Sequence, residues 1–138
     1  MSVPTVVLFE NNEPLIKQLK KLDGVTVIPF SQDGEALFSD SDVATFVASL
    51  NKKAELLFLI NAECNYGKAM RTKLPGIYFF QCLIKEYGSS KKFNYRFYSF
   101  LSKEKMIELN PFAIIIENKN FIRLPFNFTT IFMTNGGN

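Results

Sequence analysis

Leu56-Leu57-Phe58-Leu59-Ile60, closing on Asn61, is a continuous apolar run preceded by the charged residues Lys52, Lys53 and Glu55. A run this short, bounded by charge, reads as a strand buried on both faces. Strands of that kind belong to parallel sheets covered by helices on each side. In such folds ligands and reacting groups sit just past the carboxyl ends of the strands. The residue at that end is Asn61, a neutral amide, and the functional reading turns on it.

Upstream of this run, the spacing of Val43, Phe46, Val47 and Leu50 predicts a helix over roughly Ser41 to Lys52. Before it, Val25 to Phe30 reads as a strand, and Pro29 favours an edge position because proline cannot donate to a ladder. Leu15, Ile16, Leu19 and Leu22 recur at helical spacing, with Pro14 in the first turn, Asn12 as N-cap and Asp23-Gly24 as the stop. Thr5-Val6-Val7-Leu8-Phe9 is the first strand.

Downstream, Asn61 to Pro75 is a long polar loop, Gly76 to Tyr87 a helix, and Tyr95 to Phe100 a strand. Ser102 N-caps a short helix that Asn110-Pro111 stops. Residues 113–125 stay open between two readings. Either Ala113 to Ile116 and Phe121 to Leu124 are two strands, or the first half continues the helical layer and only 121–124 is a strand. A terminal helix of about two turns would begin near Asn127 or Phe128. Alternating strands and helices imply an α/β fold, a doubly wound three-layer sandwich. With right-handed crossovers the natural arrangement is the flavodoxin-like five-stranded parallel sheet in order 2-1-3-4-5.

At 138 residues and 47% hydrophobic, the chain suits one domain with its own core, here 1–138, either by itself or as the N-terminal part of a longer protein. A net charge of +3 is below what alone marks a nucleic-acid binder. No apolar run approaches the ~20 residues of a membrane span. Met1-Ser2-Val3-Pro4-Thr5 lacks the features of a secretory signal, so a cytoplasmic location is expected. Cys64 and Cys82 form no metal-ligand spacing and read as reduced structural thiols. The absence of histidine excludes His-based acid–base catalysis, His metal sites and phosphohistidine transfer. There is no Walker or dinucleotide signature.

Three stretches together resemble the receiver domain of two-component response regulators. Val6-Val7-Leu8-Phe9-Glu10-Asn11-Asn12-Glu13-Pro14-Leu15 is similar to the family's first strand, its acidic pair and the start of its first helix. Leu56 to Asn61 is similar to the strand that ends in the phosphoacceptor aspartate. Phe121-Ile122-Arg123-Leu124-Pro125-Phe126 is similar to the fifth strand, the lysine–proline pair and the following aromatic. The family's chemistry needs acids after strand one and an aspartate after strand three to hold Mg²⁺ through hard oxygens. It also needs a lysine and a Ser or Thr around the phosphoryl group. By this resemblance Glu10 matches the first acid, Asn11 the second, Asn61 the phosphoacceptor, Leu124 the lysine, and Ser99, or else Ser102, the hydroxyl. Asn11, Asn61 and Leu124 lack the required groups. The resemblance therefore implies a degenerate, pseudo-receiver type: a regulatory protein-interaction module with no catalytic residues, metal or cofactor.

Other readings attach to the remaining motifs. A displaced acceptor at Glu63, or a small enzyme or phosphate-binding domain using Glu10, Asn11, Glu63 and the basic loop 68–73 (Lys68, Arg71, Lys73), is the alternative. Against it, Glu10-Asn11-Asn12 suits an ordinary strand-to-helix turn, and the basic loop an ordinary solvated surface. Tyr95, Phe97 and Phe100 around Arg96 resemble an aromatic nucleic-acid platform, but buried strand side chains explain them better. Phe126, Phe128, Ile131, Phe132 and Met133 point in too many directions for one short helix to hide, so either a protein partner or homodimer is expected there, or the helix is cut at a domain boundary. No membrane, nucleic-acid or small-molecule partner is expected.

Overall fold

The run at 56–60 lies in the middle of the sheet. The computed structural model describes residues 5–10, 13–22, 24–30, 40–62 and 74–123. Within them, β3 (Leu56–Asn61) pairs with β1 (Thr5–Phe9) on one side and β4 (Asn94–Ser99) on the other. The edges are β2 (Thr26–Pro29), beside β1, and β5 (Phe121–Arg123), beside β4. All pairings are parallel and the order is β2-β1-β3-β4-β5, the flavodoxin-like arrangement expected. Phe58, Leu59 and Ile60 are completely buried, because both faces of β3 are covered.

Alternation along the strands sorts the core into two layers. On one face Val7, Phe9, Phe58, Ile60, Tyr95 and Phe97 pack against α2 (Asp40–Ala48), α3 (Pro75–Tyr87) and α4 (Lys103–Leu109). On the other, Val6, Leu8, Leu57, Leu59 and Tyr98 meet Ile16 and Leu19 of α1 (Glu13–Lys20). The first layer uses much of the phenylalanine-rich composition. Phe9 and Phe79 stack with centroids 4.5 Å apart, Phe58 and Phe97 meet Phe79 and Phe80 edge-on, and Phe30 extends the chain of rings to Phe46. Edge and offset contacts of this kind add to what area burial alone contributes.

Local chemistry sets several boundaries. Pro29 sits on the edge strand opposite Leu8, as its missing N–H requires. α2 ends at Ala48, short of Lys52, because polar side chains take over the backbone. Ser49 Oγ donates to the Phe46 carbonyl at 2.6 Å, and Asn51 Oδ1 accepts from the Lys53 N–H at 3.0 Å. Ser102 caps α4 by accepting from the Lys105 N–H, as expected. Residues 113–116 are not a strand: two short 3-10 turns, Pro111–Ile115 and Asn118–Asn120, lead into β5. Their polar groups are met without a sheet. Asn110 Oδ1 accepts from the Phe112 N–H, the Lys103 ammonium donates to the Ile116 carbonyl, and the Glu117 N–H donates to the Tyr95 hydroxyl. No helix of the described residues is long and apolar enough to cross a membrane.

The start of α3 lies hard against the end of β3. The Gly76 N–H donates to the Ala62 carbonyl at 3.2 Å. A Cβ on Gly76 would lie 2.4 Å from the Asn61 carbonyl oxygen and 2.7 Å from Ala62 Cα, both backbone atoms that cannot swing aside. In an ordinary helix Gly→Ala gains roughly 0.5–1 kcal/mol. At this position the overlap reverses the sign, and Gly76→Ala is expected to destabilise by about 2 kcal/mol, as overpacking of a filled site does. Urea unfolding should show a lower midpoint at an unchanged slope. A midpoint equal to or above the parent's would show that α3 moves off β3 freely.

Candidate functional site

Glu10 follows β1, whose last residue, Phe9, is in register with Ile60; Ile60 in turn is in register with Phe97. The next row along the sheet therefore holds Glu10, Asn61 and Tyr98, with Asn61 and Tyr98 directly paired. Alternation puts all of them on the α1 side, at the carboxyl ends of adjacent strands. Glu10 is only 1% exposed, Tyr98 is fully buried and Asn61 half-buried.

The side chains meet. Asn61 Nδ2 donates to Glu10 Oε1 at 2.8 Å, and the Tyr98 hydroxyl donates to the same oxygen at 2.8 Å. A carboxylate offers acceptors only, so the amide must turn its NH₂ toward it. Burying such a group is costly unless it is hydrogen-bonded, and hydrogen bonds to a charged group are the strong ones. Among the described residues, the row is one carboxylate bonded to two neutral donors.

That arrangement does not fit the Mg²⁺ of the receiver family. A hard cation asks for several oxygens at short range. Asn61 presents nitrogen, not oxygen, to Glu10, and Glu10 Oε1 already accepts two donors. Among the described residues no group of three His, Cys, Asp or Glu side chains could hold a metal ion.

The structure brings Glu10 and Asn61 together. Ser99 is buried at the end of β4, where its Oγ accepts from the Leu101 N–H at 2.9 Å and holds the turn out of the strand. Its place in the alternation puts it on the face opposite Tyr98. Ser102 is spent on capping α4. Asn11, Leu124, Glu63, Lys68, Arg71 and Lys73, and the apolar set Phe126, Phe128, Ile131, Phe132 and Met133, lie outside the described residues. Tyr95 and Phe97 are buried strand residues, as expected. Phe100 is not: the strand stops at Ser99, and Phe100 is 65% exposed.

Sequence reading missed Tyr98. The signal was available in the strand order, since aligning the ends of β1, β3 and β4 places Tyr98 in the row of Glu10 and Asn61. It also named two arginines without the roles the structure gives them. Arg123, on β5, donates through Nε to the Phe100 carbonyl at 2.7 Å and ties the ends of β4 and β5 together. Arg96 donates to the Tyr95 carbonyl at 2.6 Å and to Asn120 Oδ1 at 2.9 Å. Burial lowers the pKa of its guanidinium from the ordinary value, against a smaller opposing effect of Tyr95.

In comparison with known structures, a bacteriophytochrome response regulator matches with a TM-score of 0.52 and 11% sequence identity, over 97% of this chain and 91% of that one. At that identity the likeness is one of fold: the chain has a receiver-like fold. No protein-family model matches the chain, and no curated protein matches it in sequence.

The shared carboxylate oxygen makes a mutational test direct. Tyr98→Phe removes one charge-assisted bond and should cost about 1.5–3 kcal/mol of stability. In a Glu10→Gln background, where the acceptor is neutral, the same change should cost clearly less. Tyr87→Phe is the control: that hydroxyl is buried with no hydrogen-bond partner among the described residues, so its loss should be neutral or stabilising. Equal costs for Tyr98→Phe in both backgrounds would show that the charge of Glu10 adds nothing to the bond.

Proposed function

We propose that the chain is a degenerate receiver, a cytoplasmic regulatory domain that works by binding protein and is neither an enzyme nor phosphorylated by the usual aspartyl route. The observation that carries this reading is Asn61. In a receiver-like fold it stands at the end of β3, and its amide donates to Glu10 instead of serving as a nucleophile. A carboxylamide does not form the acyl phosphate that an aspartate forms. The interaction role is supported by exposed apolar side chains, Phe100 at 65% just past the end of β4 and Ile114 at 66% in the turn that follows α4. The apolar residues at 126–133 of the sequence add to it. Exposed apolar surface of this kind is characteristic of partner sites.

Acetyl phosphate with Mg²⁺ should therefore leave the intact mass unchanged. A stable, Mg²⁺-dependent mass increase mapping to residues 60–64 would overturn the reading. Assembly supplies an independent check. A C2 dimer buries the same patch on both subunits. Phe132→Asp replaces a large aromatic of the 126–133 apolar set with a charge, and loss of an interface aromatic of this kind costs ~2 kcal/mol or more. That is roughly a thirtyfold loss in association. Sedimentation at micromolar concentration should show dimer for the parent and monomer for the variant. A parent that is monomeric and soluble without a partner removes the dimer from this proposal.

A further inference from the structure

The Tyr98 phenol has to reach across a strand. Glu10 lies just past β1 and Tyr98 in β4, with β3 between them. Neighbouring strands are roughly 4.8 Å apart, so the two backbones are separated by roughly 10 Å. The hydroxyl nevertheless lies 2.8 Å from Glu10 Oε1. The ring therefore lies over the end of β3, on the same face and in the same row as Asn61. A side chain that is fully buried, long and rigid, and ends in one donor meets this requirement. Serine or threonine would be too short, and phenylalanine would leave the oxygen facing a hydrocarbon edge.

Asn61 and Tyr98 deliver the positive ends of their dipoles to one carboxylate oxygen. A cation would approach that oxygen through the same lone pairs, at about 2.0–2.1 Å for Mg²⁺. It would meet two hydrogens already in place. We propose that the Tyr98 hydroxyl acts as a built-in substitute for the cation, closing the pocket at the strand ends with a fixed donor so that the domain is metal-independent even when an acid is restored at position 61. This deepens the degenerate-receiver reading and rests on it: Tyr98, as much as Asn61, specifies that the pocket takes no cation. A carboxylate introduced at position 61 alone would still find Glu10 Oε1 occupied by the phenol. Removing the hydroxyl as well would free that oxygen, while keeping the ring that fills the space.

The test compares the full chain with Asn61→Asp and with Asn61→Asp/Tyr98→Phe. Each is titrated with Mn²⁺, followed by electron paramagnetic resonance of the free ion, and with Mg²⁺, followed by melting temperature. The parent is expected to bind neither ion at millimolar concentration and Asn61→Asp to bind weakly or not at all. The double variant should bind at least ~10-fold more tightly than Asn61→Asp, equivalent to 1.4 kcal/mol. Binding by the parent overturns the proposal. So does Asn61→Asp binding as tightly as the double variant, or a folded double variant that binds no better than Asn61→Asp. Should the double variant fail to fold, proton NMR of the parent decides. A slowly exchanging phenolic proton, lost in Tyr98→Phe and unmoved by millimolar Mg²⁺, supports the proposal, and its absence or displacement by Mg²⁺ overturns it. Labelling of the parent by acetyl phosphate is a separate readout, so failure of the degenerate-receiver reading is distinguishable from failure of this inference.

Discussion

A carboxylate placed beyond the reach of water must be met by donors, and Glu10 is such a group. That demand links the ends of β1, β3 and β4. The donors are Asn61, the last residue of the central strand, and Tyr98, which crosses that strand to arrive. Their convergence depends on sheet order and register: a one-residue slip would turn Tyr98 to the opposite face. The polar row therefore demands one register, and the apolar alternation beneath it demands the same one. Gly76 adds a third requirement at the same place, since α3 can start there only if the residue against the Asn61 carbonyl has no Cβ.

The two faces of the sheet meet their requirements differently. On the α2–α4 side a chain of ring contacts runs through the aliphatic core, from Phe30 and Phe46 through Phe79 and Phe58 to Phe93 and Tyr95. Such a layer tolerates little polarity, and Tyr87 shows it. Its ring packs edge-on against Phe58 while its hydroxyl is buried with no hydrogen-bond partner among the described residues. Burial raises the pKa of that phenol, against an opposing effect of Lys52. Tyr95 escapes because its hydroxyl reaches the Glu117 N–H beyond the layer. On the α1 side, Glu10 is a charged side chain met by donors from the sheet itself.

The parts legible in the sequence are those decided locally. The run at 56–60 had no reading but a doubly covered strand, Pro29 marked the edge, and Ser102 announced the cap of α4. With the alternation of elements, these were enough for the sheet order. The end of α2 was less legible, because Ser49 and Asn51 compete for backbone groups only once the helix is formed. Residues 113–116 look like a strand by composition. They are held in turns by Lys103 and Tyr95, residues distant in sequence. Half of the candidate site was visible in the same way: Glu10 and Asn61 follow from strand ends. Tyr98 did not, because its role belongs to a cross-strand row, and within its own strand it is one aromatic among several.

A domain that switches needs a ligand that binds one of its states better than the other. In an acid pocket the ligand's leverage is the repulsion between carboxylates, which a cation or a phosphoryl group relieves or alters. Among the described residues, the polar row at these strand ends holds one carboxylate, Glu10, bonded to two neutral donors. The charge of Glu10 is already met by donors that are part of the sheet, and they form when the sheet forms. Ser99, the hydroxyl the resemblance assigned to the pocket, lies on the opposite face, and its Oγ accepts from the Leu101 N–H in the turn out of β4. Under the proposed function, then, the apolar surface at Phe100 and Ile114 is set by folding and not by a chemical event in the pocket.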